Sequence, residues 1–214
     1  MLLRRAQAKL RNVAQLRFHP LRTRLRRADS MGMPAPVQTY FTVDEVLAFP
    51  DDGKRYELIY GELVVSPTPL VLHQRVVMRL TRILLEYCER EAAGEVFAVG
   101  ADLTWGRRDV ITQPDVFVVG PEDRGFKRWA DVRRVPLIAE VLSPSTKRHD
   151  RFGKRLVYRE QRVDVYWILD AEEASAEVWT PDAQFPVIER ERLSWYPTGA
   201  SAPLLIDLAT LLAN

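Results

Sequence analysis

The stretch VPLIAEVLSPST, residues 135–146, decides the fold prediction for this protein. Its first eight residues, Val135 to Leu142, are almost all apolar, which is typical of a β-strand covered on both faces. Glu140 breaks this pattern. A buried carboxylate loses several kcal/mol of solvation free energy unless a cation or hydrogen-bond donors compensate for the loss. The sequence therefore predicts a partner for Glu140, either structural or chemical.

Helix and turn signals on both sides of this strand predict an α/β domain with a central mixed β-sheet flanked by α-helices. The pattern TVDEVLAF, with Thr42 as N-cap and Glu45 three residues later, predicts a short capped helix. Helical spacing of apolar residues predicts a long helix over 70–92, ended by Gly94, and another over 146–162. Residues 55–67 have the pattern of a β-hairpin. The remaining predicted elements are strands at EVFAVG, DLTWG, ITQPDVFVVG, VDVYWILD and AEVWT, and a closing helix at PLLIDLATLLAN.

Size and composition narrow the class of protein. A chain of 214 residues with 47% hydrophobic and 28% charged residues is typical of one globular domain. Its apolar runs are far shorter than the roughly 20 residues of a membrane-spanning helix. Cys88 is the only cysteine, which excludes an intrachain disulfide and a multi-cysteine zinc site. These features predict a cytoplasmic protein without a membrane span.

Charge divides the chain into a basic N-terminal extension, residues 1–33, and a domain over residues 34–214. Residues 1–30 hold nine Lys and Arg and one acid, so the remainder of the chain has a net charge of −6. The domain as a whole therefore lacks the basic surplus typical of nucleic-acid-binding proteins. Three interpretations of the extension stay open: a basic arm for nucleic acid or anionic lipid, a transit peptide, or a segment ahead of a start at Met31 or Met33.

A second acid lies at the head of another apolar strand. Asp115, in QPDVFVVG, shares a strand face with Phe117, while Glu140 shares one with Ile138. Two acids on core-like strands favour convergence on a divalent cation, since hard cations such as Mg²⁺ bind one or two carboxylates together with water and phosphate oxygens. A purely structural role for these acids remains the alternative.

Basic residues follow the Glu140 strand in SPSTKRHDRFGKR. Lys147 and Lys154 are seven residues apart and are predicted to share a helix face. Lys154 has two interpretations. It forms an exposed ion pair with Asp150, four residues earlier, or it points toward the two acids, where its ammonium orients water and neutralises phosphoryl charge. The spacing leaves both open.

QPDVFVV followed by AEVLSPST resembles the PD…(D/E)xK signature of the restriction-endonuclease-like nuclease superfamily. Together with YELIYGEL and VYWILD, the pattern from about Tyr40 to Trp179 is similar to that of the Uma family of restriction endonucleases. The resemblance implies that Asp115 is the signature aspartate and Glu140 the second acid. Leu142 stands where the signature lysine is expected, and Lys154 on the following helix matches the substitute. Glu57 matches a further acid, used either as an outer metal ligand or for orientation.

This resemblance implies a restriction-endonuclease-like fold and metal-dependent hydrolysis of phosphodiester bonds, with DNA as the expected substrate. Asp115, Glu140 and the backbone carbonyl of Val141 would hold Mg²⁺, or Mn²⁺ in its place, and Lys154 would position water. Replacing Asp115 or Lys154 with Ala is expected to abolish nicking and to leave the fold intact. Cutting both strands of a duplex favours a homodimer.

Two alternative functions and one undecided residue accompany these expectations. A catalytically silent nucleic-acid-binding or interaction domain on the same fold would bind no Mg²⁺. A metal-free sugar hydrolase would use Asp115 and Glu140 as paired acid and base, and it would give Lys154 no role. For His73, at the start of the long helix, a place in the site and a helix-capping role both stay open.

Overall fold

The computed structural model describes residues 40–98 and 100–214, so the predicted basic extension, residues 1–33, lies outside the described residues. Within them the α-helices are α1 (Val43–Leu47), α2 (Val71–Glu91), α3 (Arg155–Glu160) and α4 (Leu208–Leu212), with a π-helical segment, His149–Lys154, directly before α3 and short 3-10 helices at Pro121–Asp123 and Trp129–Asp131. The strands are β1 (Arg55–Ile59), β2 (Glu62–Ser66), β3 (Glu95–Ala98), β4 (Val116–Val119), β5 (Leu137–Val141), β6 (Val165–Asp170), β7 (Ser175–Trp179), β8 (Val187–Glu189), β9 (Arg192–Trp195) and β10 (Leu204–Asp207). None of the described helices is long and apolar enough to cross a membrane.

The centre of the fold is a six-stranded sheet with the order β3-β4-β5-β6-β7-β8. β5 and β6 run parallel, and the other neighbours are antiparallel. β1–β2 and β9–β10 form separate two-stranded hairpins. The predicted α/β fold with a central mixed sheet and flanking helices is confirmed.

β5 is buried along its whole length, as its apolar sequence predicts. Leu137, Ala139 and Val141 pack in the core cluster that contains the buried face of α2. Ile138 packs in a second cluster on the opposite face, with Val157 of α3. Because side chains alternate along a strand, Glu140 points toward this second face, on the side of the sheet that carries α3.

Local signals place the first two helices correctly. At α1, the Glu45 backbone N–H donates to Thr42 Oγ1 at 3.4 Å and the Thr42 N–H donates to Glu45 Oε2 at 2.7 Å, which completes the predicted capping box. α2 ends at Ala92, whose φ of 53° is left-handed, rather than at Gly94. Gly94 has another role: a Cβ there would lie 2.3 Å from the Val119 carbonyl oxygen, so only glycine lets the chain approach β4 so closely.

Two predictions in the outer parts of the fold are only partly correct. The segment predicted as a closing helix begins with β10, in which Leu204 and Ile206 are buried and Leu205 is exposed. This period of two is that of a half-buried strand, and Asp207 then caps the short α4 by accepting from the Thr210 N–H at 2.7 Å. The predicted strand DLTWG forms only an isolated bridge between Leu103 and Thr112.

Candidate active site

The four residues that the resemblance selects, Asp115, Glu140, Glu57 and Lys154, line one cleft, together with Val141. The cleft has about 30 Å³ open to a sphere the size of water, which is room for a water molecule or a small ion. Its other walls come from the end of β2, the start of α2, the turn after β5 and the π-helical segment; they are Ser66, Pro67, Pro69, His73, Ser143, Thr146 and Asp150, with Arg55 from β1.

The sheet register explains why Asp115 and Glu140 meet. β4 and β5 pair Val116 with Ala139 and Phe117 with Ile138. One step further along this register, Asp115 stands opposite Glu140. The Val141 N–H beside Glu140 donates to Asp115 Oδ2 at 3.0 Å, which ties the two strands together at this point.

Lys154 is buried among the acids of the cleft. Its Nζ lies 2.9 Å from Glu57 Oε1, 3.0 Å from Glu140 Oε1 and 3.3 Å from Asp150 Oδ1. Lys154 and Asp150 therefore pair, but only 3% and 2% of their surfaces are exposed, so the exposed-pair interpretation is wrong. Burial opposes the charge on Lys154, but Glu140, Glu57 and Asp150 outweigh it and raise the pKa of Lys154 well above its usual value.

The π-helical segment directs Lys154 into the cleft. A π turn contains more residues than the 3.6-residue α turn, so side chains seven residues apart no longer share a face. Lys147 instead points outward and pairs with Glu172 at 2.6 Å. The predicted shared face of Lys147 and Lys154 is therefore wrong. Gly153 fits the segment against β1, because a Cβ there would lie 2.9 Å from Ile59 Cγ2.

Burial of Lys154 also changes what its removal is expected to do. Among residues 40–98 and 100–214, the ammonium of Lys154 is the cation that pairs with three buried carboxylates, those of Glu57, Glu140 and Asp150. Removing one partner of a buried ion pair costs about 3–5 kcal/mol, because the remaining charge is left uncompensated. The structure thus argues against the expectation that Lys154→Ala leaves the fold intact.

Asp115 is held by three groups. Its Oδ2 accepts from the Val141 N–H and lies 3.0 Å from His73 Nε2, and its Oδ1 lies 3.1 Å from Arg55 Nη1. Burial favours the neutral acid, but the hydrogen bond and charge of His73 and the charges of Arg55 and Lys154 outweigh burial and hold the pKa of Asp115 below its usual range. Asp115 is thus kept ionised. His73 belongs to the site, and its Nδ1 is buried without a hydrogen-bond partner among the described residues.

In contrast to Asp115, Glu140 has surroundings that raise its pKa. Its Oε1 accepts from Lys154 Nζ at 3.0 Å and from the Tyr158 hydroxyl at 2.9 Å. Burial is the largest influence on this carboxyl, and it raises the pKa of Glu140 well above its usual value despite the opposing charge of Lys154. The negative charges of Asp115, Asp150 and Glu57 add to this increase. Glu140 therefore lies where an additional positive charge would be stabilised.

Gln113 and Arg55 link the outer part of the site. The Gln113 backbone N–H donates to Glu57 Oε1 at 2.7 Å, and its side-chain oxygen accepts from Arg55 Nε at 3.2 Å. The Gln113 amide nitrogen donates to Asp102 Oδ1 at 2.7 Å, which fixes the side chain.

Sequence reasoning missed Arg55, Asp150 and Tyr158 and gave Gln113 no role. One available signal was the position of Arg55 two residues before Glu57, which puts both on the same face of a strand.

The donor set of the cleft fits a hard divalent cation. Four carboxyl groups line it, with Arg55, Lys154 and His73 as the basic side chains, so oxygen ligands for a cation are present in excess. No group of three or more His, Cys, Asp or Glu side chains in residues 40–98 and 100–214 has the arrangement of a ready-made metal site. Mg²⁺ needs no such cage, because it usually binds one or two carboxylates and keeps several waters.

A mixed sheet that brings two strand-borne acids and a lysine to one cleft defines a restriction-endonuclease-like nuclease fold. The crystal structure of a protein from Anabaena variabilis ATCC 29413, described as a "putative nuclease belonging to DUF820", has this fold, with a TM-score of 0.68 and 19% sequence identity. The match covers 81% of this chain and 98% of that chain. The family model "Uma2: Putative restriction endonuclease" matches residues 43–202, and the chain belongs to this family. None of the curated proteins matches significantly.

Proposed function

We propose that this protein is a Mg²⁺-dependent endonuclease that hydrolyses phosphodiester bonds in DNA. The observation that carries the proposal is the 3.0 Å contact between the buried Lys154 ammonium and Glu140, in the same cleft as Asp115. The membership of a nuclease family supports the reaction class. The contact also disfavours a metal-free sugar hydrolase, which has no use for a cation against its acid.

Asp115, Glu140 and the Val141 carbonyl are the groups that would hold the metal ion. When bound, Mg²⁺ supplies Lewis-acid stabilisation of the negative charge that develops on the phosphate and makes water more acidic. Asp115 suits this role because it is ionised and its Oδ2 is oriented by His73 and the Val141 N–H before any ligand arrives. Orientation of this kind lowers the reorganisation that the reaction requires.

Lys154 would position the attacking water and offset charge on the phosphate. An ammonium has three N–H donors, and among the described residues that of Lys154 makes a well-directed hydrogen bond with Glu140. The contacts with Glu57 and Asp150 are close ion pairs. In the proposal, Lys154 exchanges one of these ion-pair contacts for a hydrogen bond to a water molecule at the cleft.

Glu57 acts in this proposal by orientation. Its Oε1 accepts from the Gln113 N–H at 2.7 Å and lies 2.9 Å from Lys154 Nζ. These contacts fix Glu57 between the loop before β4 and the π-helical segment. They support a role in holding Lys154 in place, one of the two roles that the resemblance leaves open.

A plasmid-nicking assay tests the proposal. Wild-type protein is incubated with supercoiled plasmid in Mg²⁺, Mn²⁺ or EDTA, beside Asp115→Asn and a matched surface control, Glu86→Gln, whose side chain is 65% exposed on α2. We expect nicking with either metal, none with EDTA, a loss of at least about 100-fold for Asp115→Asn, and wild-type activity for Glu86→Gln. Equal nicking by Asp115→Asn and wild type would reject the assignment.

A silent binding domain is the second candidate, and the Arg55–Asp115 ion pair is the observation that favours it, since a permanent ion pair would keep a metal away. Plasmid binding without nicking under every metal condition would select this candidate. The DNA substrate, the homodimer and the cytoplasmic location remain predictions.

A further inference from the structure

Arg55 places a fixed positive charge on Asp115. It lies on β1, two residues before Glu57, and its side chain is 21% exposed at the cleft. Nη1 lies 3.1 Å from Asp115 Oδ1, Nε donates to Gln113 Oε1 at 3.2 Å, and Nη2 donates to the Gln113 backbone oxygen. A guanidinium does not lose its proton in proteins, so this charge leaves Asp115 only if the side chain moves.

The position of Arg55 determines which Asp115 oxygen is accessible to a cation. Oδ2 is surrounded by the His73 ring and the Val141 N–H, each at 3.0 Å. The contact of Oδ1 among the described residues is Arg55. A metal ion that binds Asp115 through Oδ1 therefore meets the guanidinium, and two cations a few ångströms apart in a buried site repel each other.

Gln113 keeps Arg55 at the cleft even when it no longer contacts Asp115. Two of the three guanidinium nitrogens bind Gln113, whose side chain is anchored on Asp102. A displaced Arg55 would remain at the rim with a free N–H edge. The planar guanidinium binds phosphate oxygens in a bidentate manner, so a phosphodiester is the ligand that fits this edge.

We infer that Arg55 competes with the divalent cation for Asp115 and, once displaced, contacts the phosphate of the substrate. This inference rests on the proposed function and deepens it. Arg55 thereby couples the two ligands: the metal ion releases the arginine, and the phosphate gives it a new partner. Loading of metal and loading of nucleic acid are expected to favour each other.

Mn²⁺ binding measured by calorimetry without nucleic acid tests the competition directly. We compare wild type, Arg55→Gln, Arg55→Lys and a surface control, Arg82→Gln, whose side chain is 72% exposed on α2. Arg55→Gln is expected to bind Mn²⁺ about tenfold or more tightly than wild type, since it removes the repelling charge. Arg55→Lys keeps the positive charge but loses the planar guanidinium, and its Mn²⁺ affinity is expected to lie between those of wild type and Arg55→Gln. The Mn²⁺ affinity of Arg82→Gln is expected to match that of wild type.

Cleavage kinetics on a labelled oligonucleotide duplex test the phosphate contact. Arg55→Gln is expected to raise KM about tenfold. Unchanged or weaker Mn²⁺ binding by Arg55→Gln overturns the competition, and an unchanged KM overturns the phosphate contact.

If Arg55→Gln does not fold, Arg55→Lys decides the competition, and a Mn²⁺ affinity of Arg55→Lys no higher than that of wild type overturns it. If wild type cleaves nothing, the proposed function fails, whereas the Mn²⁺ titration still decides the competition.

Discussion

Lys154 Nζ lies 3.0 Å from Glu140 Oε1, although the two residues are 14 positions apart and a strand end, a turn and a π-helical segment separate them. This contact compensates for the acid in the β5 core. It also brings a cation to a cleft that contains Asp115. The partner of Glu140 is thus the same group that the resemblance assigns to catalysis, and the proposed function gives it a structural and a chemical role together.

Because Lys154 compensates for three buried acids, Lys154→Met is expected to lower both stability and activity. We expect a loss of about 3–5 kcal/mol in the free energy of unfolding, measured by urea denaturation, together with loss of nicking. Lys147→Met is the matched control, since Lys147 lies seven residues earlier, points outward and pairs with Glu172. Similar losses of stability in both variants would contradict the buried network.

The Tyr158 hydroxyl donates to Glu140 Oε1 at 2.9 Å, whereas the Tyr166 hydroxyl donates to the Asp150 backbone oxygen at 3.1 Å. A typical buried hydrogen bond contributes about 0.5–1.5 kcal/mol, so Tyr158→Phe is expected to lower kcat by up to about tenfold by loosening Glu140. Tyr166→Phe removes a neighbouring buried hydroxyl that does not contact the acid, and we expect a smaller change. Single-turnover cleavage measures both. An equal fall in both variants would mean that general packing, not the Glu140 contact, is responsible.

Gly153 leaves no space for a side chain beside Lys154. An alanine Cβ would lie 2.9 Å from Ile59 Cγ2, so in Gly153→Ala either the Ile59 side chain or the π-helical segment must shift, and we expect the segment to move. We expect a destabilisation of about 1–3 kcal/mol in urea denaturation and a larger relative loss of nicking, since Lys154 moves with the segment. Phe152→Ala changes the adjacent, 65% exposed side chain and is expected to preserve both. Wild-type nicking by Gly153→Ala would show that the tight fit does not position Lys154.

Asp123 lies outside the cleft, and its protonation at low pH is expected to lower the stability of the protein. It accepts from the Arg133 and Arg134 backbone N–H groups, each at 2.8 Å, and from Arg133 Nε at 3.0 Å. Burial opposes its ionisation, but these bonds prevail and lower the pKa of Asp123 below its usual 3.8. A depressed folded-state pKa contributes stability above the unfolded-state pKa and loses it as pH falls toward the folded-state value.

Asp123→Asn is therefore expected to cost about 1–3 kcal/mol at neutral pH, and the cost is expected to shrink at about pH 3. Urea denaturation at the two pH values measures it. Asp182→Asn, at an exposed acid paired with Arg162, serves as the control. A cost for Asp123→Asn that does not change with pH would contradict the contribution of its ionised form.

The sequence by itself determined the parts of the fold that depend on neighbours in the chain. The apolar run of β5, the β1–β2 hairpin and the capping box of α1 are all encoded within a few residues, so local propensity and periodicity suffice. Alternation along two strands, together with the family resemblance, also selected Asp115 and Glu140 as a pair. The strand β10 at the C-terminal end was missed because the prediction used only local patterns. The alternation of buried residues in β10 is too short to outweigh the helical pattern that follows it.

Only the tertiary structure decided which way Lys154 points and what surrounds the acids. The spacing of Asp150 and Lys154 fits an exposed α-helical pair equally well; the widened π turn and the close packing of Gly153 on Ile59 bury both side chains. The contact between Arg55 and Asp115 joins residues 60 positions apart. Such contacts depend on how the hairpin, sheet and helix pack together, and this packing has no local period in the sequence.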